Sequence, residues 1–88
     1  GAGAGANAPT YTLESGKMTD GSIDILTLLT LSSLVSSKSE ARRAVEQGGV
    51  TVNGEKITDI HASFAKEAFA GEFLLKRGKK AFMTIELK

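Results

Sequence analysis

Ser37-Lys38-Ser39-Glu40-Ala41-Arg42-Arg43-Ala44-Val45-Glu46-Gln47-Gly48-Gly49-Val50-Thr51-Val52-Asn53-Gly54-Glu55-Lys56-Ile57 reads as a capped short helix that stops at a glycine pair and runs straight into a hairpin. Ser37 and Glu40 have capping-box spacing: the hydroxyl takes an N–H of the first turn and the carboxylate reaches back towards the cap. Ala41, Ala44 and Val45 share one face at i, i+3, i+4 spacing. They are small, so the helix must sit close to whatever it packs on. Lys38 and Arg42 share a different face, with Arg43 beside them. Gly48 or Gly49 ends the helix in a left-handed cap. Val50-Thr51-Val52 alternates like a strand, and Asn53-Gly54 is a strong hairpin signal, because a type I′ turn needs positive φ at both centres. The product is a rigid corner that displays cations.

Working outward, Ile23 to Leu31 reads as a first helix, capped by Ser22 or Asp20, with Ile25, Leu28 and Leu29 on one face. Ser32 to Ser36 is a polar break in which Leu34 and Val35 plug the gap between the helices. Residues 1–6 alternate Gly and Ala and are low-complexity; they read as a linker, native or artificial. Residues 7–21 are polar, with little to bury beyond Tyr11, Leu13 and Met18. Residues 1–21 are therefore expected to be a flexible tether and 22–88 a single domain. Beyond Ile57 the anchors are Ile60, Phe64 and Phe69, with a helical turn near Ala65 to Ala70. Phe73 to Arg77 then reads as a strand, Gly78-Lys79 as a two-residue turn and Lys80 to Leu87 as the partner strand. Met83, Ile85 and Leu87 point one way, and Phe82, Thr84, Glu86 and Lys88 the other. The expected class is α+β: two short packed helices against a small, mostly antiparallel sheet.

The 88 residues allow one domain. Cysteine is absent, so there is no disulfide or thiolate metal site, and the single histidine, His61, excludes a multi-histidine site. His61 reads as a surface or capping residue. No Ser/His/Asp set, phosphate-binding glycine loop or zinc signature is present, so catalysis by this segment is not expected. No apolar run approaches a membrane span, and the expected setting is soluble and cytoplasmic. The net charge of +1 conceals an asymmetry: residues 38–88 hold ten Lys or Arg against seven Asp or Glu. Lys76, Arg77, Lys79 and Lys80 cluster with no acid among them. Two basic groups on separate rigid elements point to an anionic partner, a phosphate backbone above all. Arg42 and Glu46 are an i, i+4 pair, which draws on the same cation. Phe82, beside the basic turn, either stacks on a base or ribose or covers the sheet edge.

Two motifs carry a family resemblance. Ser37 to Arg43, Gln47 to Val50 and Val52 to Glu55 resemble the RNA-binding module named after ribosomal small-subunit protein four, an S-four-like fold. Gly71 to Phe82, Gly-Glu-Phe-Leu-Leu-Lys-Arg-Gly-Lys-Lys-Ala-Phe, resembles the end of bacterial-type tyrosyl-tRNA synthetases. The resemblance implies a carboxy-terminal domain that grips tRNA(Tyr) near its variable arm and anticodon stem. In the parent enzyme a separate body, homodimeric and using ATP and tyrosine, would perform the ligation; this segment, a monomer alone, would need no cofactor. By position, the resemblance places Lys38, Arg42 and Arg43 on the helical part of the RNA face. Asn53 and Lys56 would lie on the hairpin, and Lys76, Arg77, Lys79 and Lys80 on the second basic patch. Ser33 and Ser36 stand where the family usually has glycine and proline, which leaves the path of the 32–37 loop open, and Lys76 occupies a position that is often arginine. The alternatives are an S-four-like rRNA-binding module of an RNA-modifying or ribosome-associated protein, and, in another class, a protein-interaction module.

Overall fold

The structure is a computed structural model that describes residues 9–78 and 81–88. Its elements are β1 (Thr10–Leu13), β2 (Ser22–Asp24), α1 (Ile25–Leu31), α2 (Lys38–Glu46), β3 (Val50–Val52), β4 (Glu55–Lys56), β5 (Ser63–Ala65), β6 (Leu74–Arg77) and β7 (Ala81–Leu87), with 3-10 turns at Ser15–Lys17 and Lys66–Phe69. The main sheet has the order β1-β7-β6-β3-β4, and β2 and β5 form a separate antiparallel pair. All ladders of the main sheet are antiparallel except β1 against β7, which is parallel. The expected α+β class, two helices on a mostly antiparallel sheet, is the class observed.

The corner at 37–57 forms as its residues dictate. Ser37 caps α2, its Oγ accepting from the Glu40 N–H at 3.2 Å. The Glu40 carboxylate reaches one residue further back than a standard capping box: Oε1 accepts from the Ser36 N–H at 2.7 Å. A proline at position 36 would have no N–H to give. At the other end, the Gly49 N–H bonds the Ala44 carbonyl and the Gly48 N–H the Val45 carbonyl, with Gly48 at φ +73°. That is a Schellman stop. Asn53 and Gly54 have φ of +52° and +86°, the type I′ signature.

α1 ends in the same Schellman geometry. The Leu34 N–H bonds the Leu29 carbonyl and the Ser33 N–H the Thr30 carbonyl, with Ser33 at φ +65°. The helix therefore ends in this stop without a glycine, and Val35, in the loop that follows, is buried. The start of α1 differs from expectation. Ser22 and Ile23 are strand, and the cap is Asp24, which accepts from the Thr27 N–H at 3.0 Å and the Thr27 hydroxyl at 2.7 Å. Pairing of Ser22, Ile23 and Asp24 with Ala65, Phe64 and Ser63 draws these residues out of the helix.

Residues 10–21, expected to be part of a tether, are built into the fold. β1 lies beside β7 from Thr10↔Thr84 to Leu13↔Leu87, and Leu13 is fully buried. Thr19 and Ser22 exchange backbone hydrogen bonds of 2.8 and 3.0 Å around Asp20-Gly21. With φ of +55° and +75° there, this is a second tight hairpin turn. Residues 1–6 lie outside the described residues.

The core joins both layers. Ile25, Leu28 and Leu29 of α1 and Ala41, Ala44 and Val45 of α2 meet Val50, Leu75 and Ile85 of the sheet, with Leu13 and Phe73 closing the far end. Phe73 is the hub of an aromatic cluster, edge-on to Phe64 at 5.3 Å and tilted over Phe69 at 4.5 Å.

Candidate nucleic-acid interface

Cross-strand register decides which side of the sheet each basic residue occupies. Directly opposed residues share a face, and neighbours along a strand do not. Val50 pairs with Arg77, and Leu75 with Val52 and Met83, so Phe73, Leu75 and Arg77 form one file on the face beneath the helices. Thr51 pairs with both Lys56 and Lys76, and Lys76 with Phe82. Lys56, Thr51, Lys76 and Phe82 thus cross four strands in a row on the outer face. The pleat separates Lys76 from Arg77, although they are adjacent in sequence.

Arg77, at the end of an apolar file, comes up against α2. With Glu40, Arg43, Ala44, Gln47, Gly49 and Gly78 it lines a cleft of about 350 Å³. β3 leaves α2 through Gly49 and pairs directly with β6, and the Gly78 N–H bonds the Gly49 carbonyl at 2.6 Å. That connection is what brings the Arg77 guanidinium to the helix. Its Nε is buried and has no hydrogen-bond partner. Its Nη2 stands 3.9 Å from Glu40 Oε2, a charge contact beyond hydrogen-bond length. Hydrogen bonds from the Ser36 N–H and hydroxyl hold the Glu40 carboxyl below its ordinary pKa, with Arg77 and Arg43 adding to the effect.

The remaining expected residues are placed as follows. Arg42 points to solvent and pairs with Glu46 at 3.5 Å. Lys38, at the first turn of α2, is exposed and adds to the field at Asp24, where burial raises the carboxyl pKa but the Thr27 hydrogen bonds outweigh it and leave it lowered. Asn53 is committed to the fold: its Oδ1 accepts from the Leu74 N–H at 2.8 Å and its Nδ2 donates to the Glu72 carbonyl at 3.0 Å. The Lys56 side chain runs back along Gly48, within about 3.5 Å of where a Cβ would stand, at the carbonyl end of α2 where a cation is favoured. Lys76 lines a second cleft, of about 510 Å³, with Thr51, Asn53, Gly54, Glu72 and Leu74. Phe82 is half-buried on that outer face. The strands that flank the expected basic turn are in a register that pairs Arg77 with Ala81. Lys79 and Lys80 lie outside the described residues.

The structure therefore brings Arg43 and Arg77 together and sends Lys76 and Phe82 to the opposite side of the sheet. Glu40 and Gln47 were not expected as lining residues. Their signal was present: Glu40, Arg43, Ala44 and Gln47 fall at i, i+3, i+4, i+7, a second stripe on α2 beside the apolar one. Among the described residues no helix is long and apolar enough to cross a membrane.

The family described as the tyrosine–tRNA ligase SYY-like C-terminal domain matches residues 4–85. A tyrosine–tRNA ligase of Treponema denticola is 47% identical over 79 residues, covering 88% of this chain and 19% of that protein. Those of Clostridium perfringens and Clostridium kluyveri are 43% and 40% identical over 83 residues, 93% of this chain and 20% of each relative. The chain spans about a fifth of the length of these curated relatives. With a match that runs through both helices and nearly the whole sheet, the chain belongs to the tyrosine–tRNA ligase SYY-like C-terminal domain family.

Proposed function

We propose that this chain binds structured RNA, tRNA(Tyr) in particular, by contacts to phosphates and to the shape of the folded helix, and so holds the tRNA for a catalytic body encoded elsewhere in a longer protein. The observation that supports this best is the meeting of Arg43 and Arg77, far apart in sequence, in a single cleft where one carboxylate faces two guanidiniums. Cations held on a rigid corner supply affinity through counterion release, and the fixed angle between α2 and the sheet limits which backbone geometries fit. Lys38, exposed at the first turn of α2, extends the positive field. Ligation of tyrosine to tRNA by a longer protein is suggested by the names of the relatives; the use of ATP, a homodimeric parent enzyme and a cytoplasmic setting belong to the same proposal and rest on the family resemblance alone. Filter-binding titration with tRNA(Tyr), an unrelated tRNA and an rRNA helix, at graded salt, tests it. The expected result is a log–log salt slope of about −0.7 to −0.9 per phosphate contact, with tRNA(Tyr) bound tightest. Preference for the rRNA helix would instead favour a ribosomal target, and salt-independent binding of a protein partner would overturn the reading.

A further inference from the structure

Two properties of the cleft between α2 and β6 distinguish it from a diffuse positive surface. Arg77 is delivered by the fold itself, and the guanidiniums that line the cleft are short of acceptors. The Arg77 stem continues the buried file of Phe73 and Leu75, so its guanidinium is delivered from below rather than from a free surface chain. Its Nε has no partner, and a guanidinium N–H shut away from water without an acceptor is costly. Arg43 forms no ion pair among the described residues. Glu40 does not complete the set, because Ser36 holds its Oε1 at 2.7 Å while Oε2 stays 3.9 Å from Arg77. Arg43, Arg77 and Glu40 leave one formal positive charge in a space of about 350 Å³. The backbone cannot serve as donor here, since the Gly49 and Gly78 N–H groups are already bonded to Ala44 and Gly49.

We propose that this cleft is a discrete pocket for a single phosphodiester of the RNA backbone, gripped by the planar forks of Arg43 and Arg77 with the Gln47 amide at its rim, while Glu40 holds the Arg77 fork in orientation. This rests on the RNA-binding reading and sharpens it: most cations on the domain act by charge, and these two act by geometry. One phosphodiester carries the single negative charge that the pocket lacks. Its two free oxygens suit bidentate guanidinium contacts, which an ammonium cannot reproduce.

Charge-conserving substitution separates geometry from charge. Arg43→Lys with Arg77→Lys is expected to weaken tRNA(Tyr) binding about tenfold and leave the salt slope unchanged, whereas Lys38→Arg changes affinity less than twofold. A loss of twofold or less in the double variant, with an unchanged amide spectrum, overturns the pocket while leaving general RNA binding intact. The second measurement needs no RNA. Inorganic phosphate titrated into the wild-type chain should shift the Arg43 and Arg77 Nε–Hε signals to saturation, and the Arg42 signal, whose side chain already pairs with Glu46, should drift only linearly. In Arg77→Lys the Arg43 shift should no longer saturate. Equal, unsaturating drifts at all three arginines would overturn the pocket even if tRNA binds. If wild-type chain ignores tRNA but phosphate saturates the pair, the pocket stands and the choice of RNA as its ligand fails.

Discussion

Ser33 and Gly48 occupy the same place in the same capping motif, one at the end of each helix, and both take positive φ, +65° and +73°. The Cβ of serine clashes there with the following carbonyl, at a cost of roughly 1–2 kcal/mol. Glycine escapes that clash but loses more chain entropy on folding. Ser33→Gly is therefore expected to stabilise the fold by about 0.5–1 kcal/mol, read as a higher urea midpoint at constant m-value; an unchanged midpoint would mean that the Ser33 Cβ meets no such strain. Asn53 is the opposite case, a residue whose type suggested RNA and whose bonds serve the fold. Its amide joins the hairpin tip to the backbone of Glu72 and Leu74, and asparagine tolerates its positive φ better than most residues. Asn53→Ala should cost about 2 kcal/mol of stability from the lost pair of hydrogen bonds, with the folded fraction binding tRNA as before. A selective loss of affinity without loss of stability would return Asn53 to the interface. In sequence the two roles look alike, because a polar side chain at a hairpin tip can face either a ligand or its own backbone, and only the approach of β6 decides.

Among the elements, the two helices differ in how they start. α1 is capped by Asp24 and α2 by Ser37 with Glu40, and both carboxyls sit below their ordinary pKa values of 3.8 and 4.5. At Asp24 burial opposes the ionised form, and the Thr27 hydroxyl and N–H overcome it; at Glu40 the Ser36 bonds lead. A lowered native pKa means that the unfolded chain binds more protons between the two values, so stability rises with pH across that interval. The stabilisation is complete above the ordinary values and drains away as pH falls through the native ones. Asn is as good a cap as Asp and does not titrate. Asp24→Asn should therefore approach wild type as pH falls through and below the ordinary value of 3.8 and drop away from it as pH rises above that value, a comparison made by urea unfolding at each pH; parallel curves would show that Asp24 contributes no linked protons. α2 and the β3–β4 hairpin were legible because every determinant lies within a few residues: cap, stripe, glycine stop and Asn-Gly turn. The start of α1 was not, because Ser22 to Asp24 are apolar-polar alternators whose partner strand lies some forty residues away. The Asp20-Gly21 turn carried as plain a local signal as Asn53-Gly54, but it sits in a stretch with few apolar residues and so read as linker.

At the scale of the whole molecule, the parallel pairing of β1 with β7 adds residues 10–13 to the main sheet. A parallel ladder cannot be closed by a tight turn, so no local motif announced it, and its one fully buried anchor, Leu13, stands alone in a polar stretch. The candidate site was half legible for the same reason. Sequence identified Arg43 and Arg77 as cations on rigid elements, but not that β3 would carry one beneath the other while the pleat turned Lys76 away. β1 and the Pro9 that precedes it cover what would otherwise be the open edge of β7: the Pro9 carbonyl accepts from the Thr84 N–H at 2.9 Å and the Leu13 carbonyl from the Lys88 N–H at 2.8 Å. It also fills the far end of the core. If this strand is part of the cooperative unit, Leu13→Ala should cost about 2–5 kcal/mol, a large share of the roughly 5–13 kcal/mol expected for a domain of this size. The Thr84 and Lys88 amides should then exchange with solvent at the same free energy as the Leu75 amide at the sheet centre, since all would open only by global unfolding. A tether that merely rests on the sheet gives a different pattern: fast exchange at Thr84 and Lys88, a cost below 1 kcal/mol for Leu13→Ala, and an unchanged urea midpoint on deletion of residues 1–13. Hydrogen exchange on the wild-type chain distinguishes the two without any substitution, and it also fixes the shortest segment of this chain that can fold around the Arg43–Arg77 cleft.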